Sequence, residues 1–220
     1  MQYVIRRATT KPRLLDDWRD ADVGDVAHFH ASSSDHRPVT KFRMLYDDAG
    51  VYVTFNVRDR YVLCRRTEHQ AMVCRDSCVE MFVQPKPGCG YFNFETNCGG
   101  AMLLWYVTDN TRVPGVGFKG FEKVSHALIA RIEIATSLPA RMAFEERDEA
   151  IEWRVGYFVP NEVFEHYVGA LGPAAGRRWR GNFYKCADES SHPHWASWRP
   201  IGAKLDFHAP KFFGEIRFAE

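Results

Sequence analysis

Three kinds of side chain able to grip a small polar molecule recur in this chain at strand spacing: carboxylates, side-chain amides and indoles. In Tyr91–Cys98 the alternation puts Tyr91, Asn93, Glu95 and Asn97 on one side and Phe92, Phe94 and Cys98 on the other. In Cys78–Gln84, Glu80 lies opposite Val79, Met81 and Val83 and is expected beside Asn93 or Glu95. The same period sets Arg180, Asn182 and Tyr184 against Gly181 and Phe183, and Lys41 and Arg43 against Phe42, Met44 and Tyr46. If these strands share one sheet, its open face carries Lys41, Arg43, Glu80, Asn93, Glu95, Asn97, Arg180 and Asn182, donors and acceptors suited to vicinal hydroxyls. The segment Trp179–Gly214 adds three tryptophans, Trp179, Trp195 and Trp198. Flat apolar rings beside hydrogen-bonding groups suit a sugar, which presents C–H patches on one face and hydroxyls round its rim. A half-exposed sheet is polar on its wet side in any case. What points to a ligand is the abundance of Asn and planar charged groups next to an indole-bearing loop. The tryptophans of the Ser190–Pro200 loop, Trp195 and Trp198, would then supply the stacking wall.

The elements that must position these groups are strands. Period-2 runs appear at Lys41–Tyr46, Val51–Val57, Cys78–Gln84, Tyr91–Cys98, Ala101–Val107, Leu128–Ile134, Glu152–Val159, Trp179–Cys186 and Glu215–Phe218. Hairpin turns are expected at Asp47–Gly50, Pro85–Gly90 and Asn97–Gly100, where Asp, Asn, Pro and Gly supply the tight-turn geometry. Helical periodicity is confined to Pro160–Tyr167, an apolar stripe ended by Gly169. Ala140–Ala150 (ARMAFEERDEA) reads as a solvated loop or helical turn. The fold class expected is all-β: an antiparallel two-sheet sandwich of jelly-roll type with one short helix, forming one domain over residues 1–220.

Composition narrows the partners. With 29 Lys+Arg against 28 Asp+Glu the net charge is +1, so there is no basic field for nucleic acid or an anionic membrane, and neither is expected. The start, MQYVIRRATTKPRL, lacks the apolar core of a secretory signal, so the chain reads as cytoplasmic as written, or extracytoplasmic if a signal peptide has been removed. Six cysteines match no zinc ribbon or redox pair and read as mostly buried free thiols. His192 and His194 form an HxH pair that can reach a metal with Cys186, but the bland reading is that they order the Pro193 turn. No cofactor is called for. Trp105 and Trp153 sit mid-strand and read as core.

The segments KFRMLYDDAGVYVTFNVRD, VCRDSCVEMFV, YFNFETNCGG, VGYFVPNEVFEHYVG, WRGNFYKC, HPHWASWRP and FHAPKFFGEIRF, in that order, resemble the family 9 carbohydrate-binding modules, specifically bacterial family 9-like proteins. The resemblance runs through most of the chain. It implies a non-catalytic β-sandwich that holds an oligo- or polysaccharide between two aromatic rings, beside partner enzymes active on carbohydrates. In the family a tryptophan commonly stands six residues before the glutamate of an Asp-x-x-Val-Glu motif; here Cys74 stands there, ahead of Asp76 and Glu80. One stacking wall is then missing unless Tyr91 or Tyr184 supplies it. Some members hold structural calcium, for which the Asp47-Asp48 turn or Asp59 would be the donors here.

The reading favoured is sugar binding, with Trp198 or Trp195 stacking, Glu80 and Glu95 accepting, and Arg43, Asp76, Asn93, Asn97, Arg180 and Asn182 completing the grip. Each sugar hydrogen bond is worth only about 0.5–1.5 kcal/mol net, so micromolar to millimolar affinity is expected. Two alternatives stand beside it. Glu80 and Glu95 on neighbouring strands would lie about 5 Å apart, the separation of a retaining glycosidase pair. A haem-binding sandwich would draw ligands from His and Met, but Met44, Met81 and Met102 read as ordinary core.

Overall fold

The computed structural model describes residues 2–220, and its architecture is almost entirely strand. In chain order the strands are β1 (Gln2–Arg7), β2 (Gly24–Asp25), β3 (His28–Phe29), β4 (Val39–Tyr46), β5 (Gly50–Asp59), β6 (Val62–Cys64), β7 (Cys78–Gln84) and β8 (Tyr91–Asn97). They continue as β9 (Met102–Val113), β10 (Gly117–Lys123), β11 (Glu133–Thr136), β12 (Phe144–Arg147), β13 (Ile151–Pro160), β14 (Arg178–Cys186), β15 (Trp195–Ser197) and β16 (Gly214–Phe218). A single helical turn, α1 (His126–Ile129), precedes β11, and the helix α2 (Asn161–Val168) follows β13.

One hydrogen-bonded path runs β10-β9-β8-β7-β14-β16-β1-β4-β5-β13-β11, with a separate β12-β6 pair. The expectation of two purely antiparallel sheets is therefore corrected to a mixed arrangement. β1 is the reason: Gln2–Ile5 pairs parallel with β16, and Arg6–Arg7 pairs parallel with β4, so one strand crosses from one half of the path to the other. The two halves lie face to face. Phe42 of β4 stacks on Phe183 of β14 with centroids 3.6 Å apart, and Phe94 of β8 lies parallel to Tyr157 of β13 at 6.1 Å. Between them sits the main core, where Val53, Phe55, Val79, Met81, Val83, Phe92, Phe94, Val155 and Phe183 are fully covered. These are the inward residues of alternating strands, which is why the period-2 pattern was readable.

The expected strands over β4, β5, β7, β8, β9, β13, β14 and β16 and the helix at α2 are present within a few residues, β9 running on to Val113. Hairpin β8–β9 closes as its turn residues require: Gly100 takes φ 80°, and its N–H donates to Asn97 O at 2.9 Å. Leu128–Ile134 is not a strand throughout. Ser125 caps a helical turn by accepting from Leu128 N, and the strand starts only at Glu133. Ala140–Ala150, expected to be a solvated loop or helical turn, contains β12, a short strand paired with β6, with Glu145 exposed and Glu146 and Arg147 half-buried. No helix among the described residues is long and apolar enough to cross a membrane.

Candidate functional site

The outward face of β14-β7-β8-β9 is where the chemistry collects. Register places Tyr184 beside Glu80, Glu80 beside Glu95, and Glu95 beside Leu103, while Cys186 pairs with Cys78 and Asn93 with Trp105. Because paired residues share a face, Glu80, Glu95, Cys186 and Trp105 all point away from the main core. β14 has two partners along its other edge, β16 for Arg178–Gly181 and β15 for Tyr184–Cys186, and the second sets Trp195 opposite Cys186.

These groups border a cleft of about 430 Å³, within the range of small-molecule sites. Glu80, Glu95, Cys186, Leu103 and Trp105 form its floor, Cys74, Asp188 and Trp195 one side, and Arg112, Phe118, Phe207 and His208 the other. Trp195 Nε1 donates to Asp188 Oδ1 at 2.8 Å, which fixes both. Glu95 is oriented by Asn93, whose Nδ2 donates to Oε1 at 2.7 Å while its Oδ1 accepts from Trp105 N at 2.9 Å. Glu80 Oε1 accepts from the Cys186 thiol at 3.1 Å, and Glu80 Oε2 is buried without a partner.

The electrostatics follow from burial. Glu80 and Glu95 are nearly sealed, at 2% and 5% exposure. Desolvation and the neighbouring Glu95 push the Glu80 carboxyl well above its usual range. Desolvation likewise raises Glu95 to about 7, against the Asn93 hydrogen bond, and burial raises Asp188. His208, buried beside Arg112, is held down at about 3 and is therefore neutral, with Nδ1 2.8 Å from the Tyr91 hydroxyl. The cleft thus offers protonatable acids, a neutral imidazole and indole faces, a set suited to exchanging hydrogen bonds with hydroxyls.

Not every expected residue reaches this cleft. Glu80, Glu95 and Trp195 line it, and Asn93 supports it from behind. Trp198 does not: it lies in the main core, edge-on to Phe42 and Phe183, at 4% exposure. Strand alternation is the cause, since Trp195 and Trp198 are three apart and Trp198 N bonds Phe183 O on the inward side. Arg43 belongs to β4 in the other half and pairs with Asp17 at 3.2 Å, and Lys41 pairs with Asp25. Asp76 accepts from Arg66 and Asn97, and Asn97 also ties down Arg66 O and Ala101 N, so this trio braces a loop.

Arg180 and Asn182 face the expected way, but the chain's own segment between β15 and β16 covers them. Arg180 donates to Pro210 O and Phe213 O, and Asn182 bonds both the N–H and the C=O of Arg199. Tyr184 stacks on Phe207 at 4.1 Å and donates to its carbonyl, so neither Tyr91 nor Tyr184 offers a free stacking face. Sequence reasoning missed Trp105, Asp188, Arg112 and His208. Trp105 was recoverable: pairing β8 with β9 in register puts it on the Asn93 face.

Other expectations are also placed. His192 stacks on Tyr61 at 3.7 Å, and His194 Nε2 lies 2.7 Å from Lys185 Nζ inside the protein, so the HxH pair is not gathered with Cys186. Asp47 and Asp48 sit at one end of β5 and Asp59 at the other. Asp47 binds Ala49 N, Gly50 N and the Tyr52 hydroxyl; Asp48 pairs with Arg7; Asp59 accepts from His36, Lys185 and Arg60 N. With their oxygens so committed, these carboxylates do not fit a calcium cage. Met44, Met81 and Met102 are fully buried in the main core. All six cysteines are free thiols.

Comparison with known proteins gives this geometry a context. The family model described as carbohydrate-binding family 9 matches residues 10–218. A crystal structure of a candidate carbohydrate-binding protein from Bacteroides uniformis ATCC 8492 is 27% identical, with TM-score 0.86 over 99% of this chain and 98% of that one. A family 9 carbohydrate-binding module from Caldicellulosiruptor kristjanssonii in complex with glucose is 14% identical, with TM-score 0.61 over 99% of this chain and 95% of that one. The structure of a family 9 module from that organism with cellotriose is 17% identical, with TM-score 0.57 over 100% and 94%. No curated protein sequence matches the chain.

Proposed function

Because the chain belongs to carbohydrate-binding family 9, a family of non-catalytic modules, we propose that it binds carbohydrate and that the cleft floored by Glu80 and Glu95 is where it does so. The observation that carries the reading is the convergence of two indoles, Trp195 and Trp105, on one cleft with two buried carboxyls, of which Glu80 has no salt-bridge partner and Glu95 only the neutral His208 imidazole at 3.9 Å. Trp195, held by Asp188, stacks on one face of a sugar ring, and Trp105 contributes apolar surface from the floor. Glu80, Glu95 and Asp188 take hydroxyl hydrogen bonds, and His208 and Arg112 donate from the far side.

The two Caldicellulosiruptor modules with glucose and cellotriose support a β-linked glucan as the first ligand to try. Cys74 leaves the segment before β7 without an aromatic wall, so a single-sided stack and an affinity in the micromolar to millimolar range follow. Residues Arg43, Asp76, Asn97, Arg180, Asn182 and Trp198 serve the frame around this cleft rather than the ligand.

A glycan array probed side by side with wild type and Glu95→Gln tests the proposal. Wild type is expected to mark a defined set of oligosaccharides and the variant to lose them. An array with no reproducible wild-type signal contradicts carbohydrate binding, and an unchanged pattern in the variant moves the site away from this cleft.

A further inference from the structure

Beneath the proposed sugar site lies a second arrangement, which shares Glu80 with it and adds two thiols that hydroxyl recognition does not use. Cys78 and Cys186 are direct cross-strand partners on β7 and β14, and Glu80 follows Cys78 on the same face. One sulfur from each cysteine and one Glu80 oxygen lie within 4.8 Å of one another, the only such trio among the described residues. All three residues are buried, at 0%, 2% and 1% exposure for Cys78, Glu80 and Cys186. Glu80 Oε2 has no hydrogen-bond partner. The ionisable groups that act most on it, Glu95 and Asp188, are acids, and among the described residues no Lys or Arg forms an ion pair with Glu80. A buried carboxylate without a counter-charge is costly, and two thiols beside it make a cation the natural occupant.

We propose that Cys78, Cys186 and Glu80 bind a borderline-soft divalent cation of the Zn²⁺ type at the floor of the cleft. Zinc takes thiolate sulfur at about 2.3 Å and carboxylate oxygen at about 2.0–2.2 Å, which sets tetrahedral donors roughly 3.5–3.8 Å apart. The trio's donor atoms, within 4.8 Å of one another on strands held in register, stand at most about 1 Å outside that spacing. Three protein donors leave a fourth position, and Glu80 and Cys186 open onto the cleft, which provides both entry and room for a water or hydroxyl oxygen. On binding, both thiols and the Glu80 carboxyl release their protons to solvent, so three protons leave for each cation that enters. The site shares Glu80 with the sugar reading but does not rest on it, since the metal alone probes it.

The test is titration of the full chain, prepared with reductant and chelator and then freed of both, with Co²⁺ as the spectroscopic probe and Zn²⁺ as competitor. The expected result is a sulfur-to-cobalt charge-transfer band that saturates at equimolar metal and is displaced by Zn²⁺. Cys186→Ser should abolish the band, and Glu80→Gln should weaken affinity by at least the roughly 10–100-fold seen for lesser changes around metal sites. Cys64→Ser, which removes a thiol outside the trio, should leave it intact. If Cys186→Ser fails to fold, Glu80→Gln, nearly isosteric and with both thiols in place, decides alone. No band in wild type, or a band unaffected by Glu80→Gln, overturns the site. Glycan binding is measured on a separate, metal-free sample, so failure of the cobalt band and failure of sugar binding are read independently.

Discussion

Lys185 and Cys186 are neighbours on β14, yet they look into opposite environments. Lys185 points inward, where Asp59 Oδ2 lies 3.2 Å away and His194 Nε2 2.7 Å, and Asp59 is further held by His36 at 2.8 Å. Cys186 points outward and donates its thiol to Glu80, in a cleft where no Lys or Arg pairs with that carboxyl; Arg112 lines the same cleft but pairs with Asp206. Burial opposes ionisation of Asp59, but the Lys185 ammonium and His36 outweigh it and keep its carboxyl below the usual range. At Glu80 burial wins and the shift runs upward. A buried charge that the protein has already matched belongs to the frame. A buried acid left unmatched at a cleft is capacity held for something else.

That contrast predicts opposite responses to substitution. Lys185→Met strands Asp59 without its counter-charge and should cost about 3–5 kcal/mol in denaturant unfolding. A loss below about 1 kcal/mol would place the inner cluster on the same footing as the cleft. In the cleft the sign changes. Glu95→Gln removes an acid that must stay protonated, so at neutral pH the variant should be as stable as wild type or more stable by about 1–2 kcal/mol.

The pH dependence separates the two regions further. Glu95 rises from 4.5 to about 7 on folding, so the stability it contributes is complete below 4.5 and is lost as pH rises through 7. His194, held down at about 3 from 6.5 by burial and by Lys185, contributes above 6.5 and loses that contribution as pH falls toward 3. Between these limits the two slopes oppose each other. Thermal melts from pH 4.5 to 7 should therefore show Glu95→Gln gaining on wild type as pH rises, and a constant difference would contradict the raised Glu95 carboxyl. The smallest effect expected is that of Trp105→Ala, which removes apolar floor and the ring under the Lys123 ammonium, 5.7 Å from its centroid, and should weaken glycan binding about fivefold, near 1 kcal/mol, by calorimetry.

How much of this was legible follows from what alternation encodes. It sorted Glu80, Asn93 and Glu95 to one face, because a strand's two faces are written in its odd and even positions, and it left Asn93 or Glu95 as the neighbour of Glu80, of which the register selects Glu95. The same rule, applied to HWASWRP, separates Trp195 from Trp198 and shows that only one of them can face the cleft. What alternation does not contain is coverage. Arg180 and Asn182 read as open polar positions, but the segment from Arg199 to Phe213 folds back over them and takes their hydrogen bonds. Nor does it contain which half of the path a strand joins, so Arg43 was placed beside Glu80 although β4 lies across the core. The crossing of β1 between halves depends on long-range parallel pairing, to which local pattern is blind.

Trp195 is the residue on which the account turns, being the indole that register brings beside the unmatched acids. Calorimetric titration of wild type and Trp195→Ala with the glycan that wild type binds best measures its part directly. The account predicts affinity lowered at least about tenfold, near 1.4 kcal/mol, with the melting temperature little changed. Equal affinity in the two proteins would contradict it.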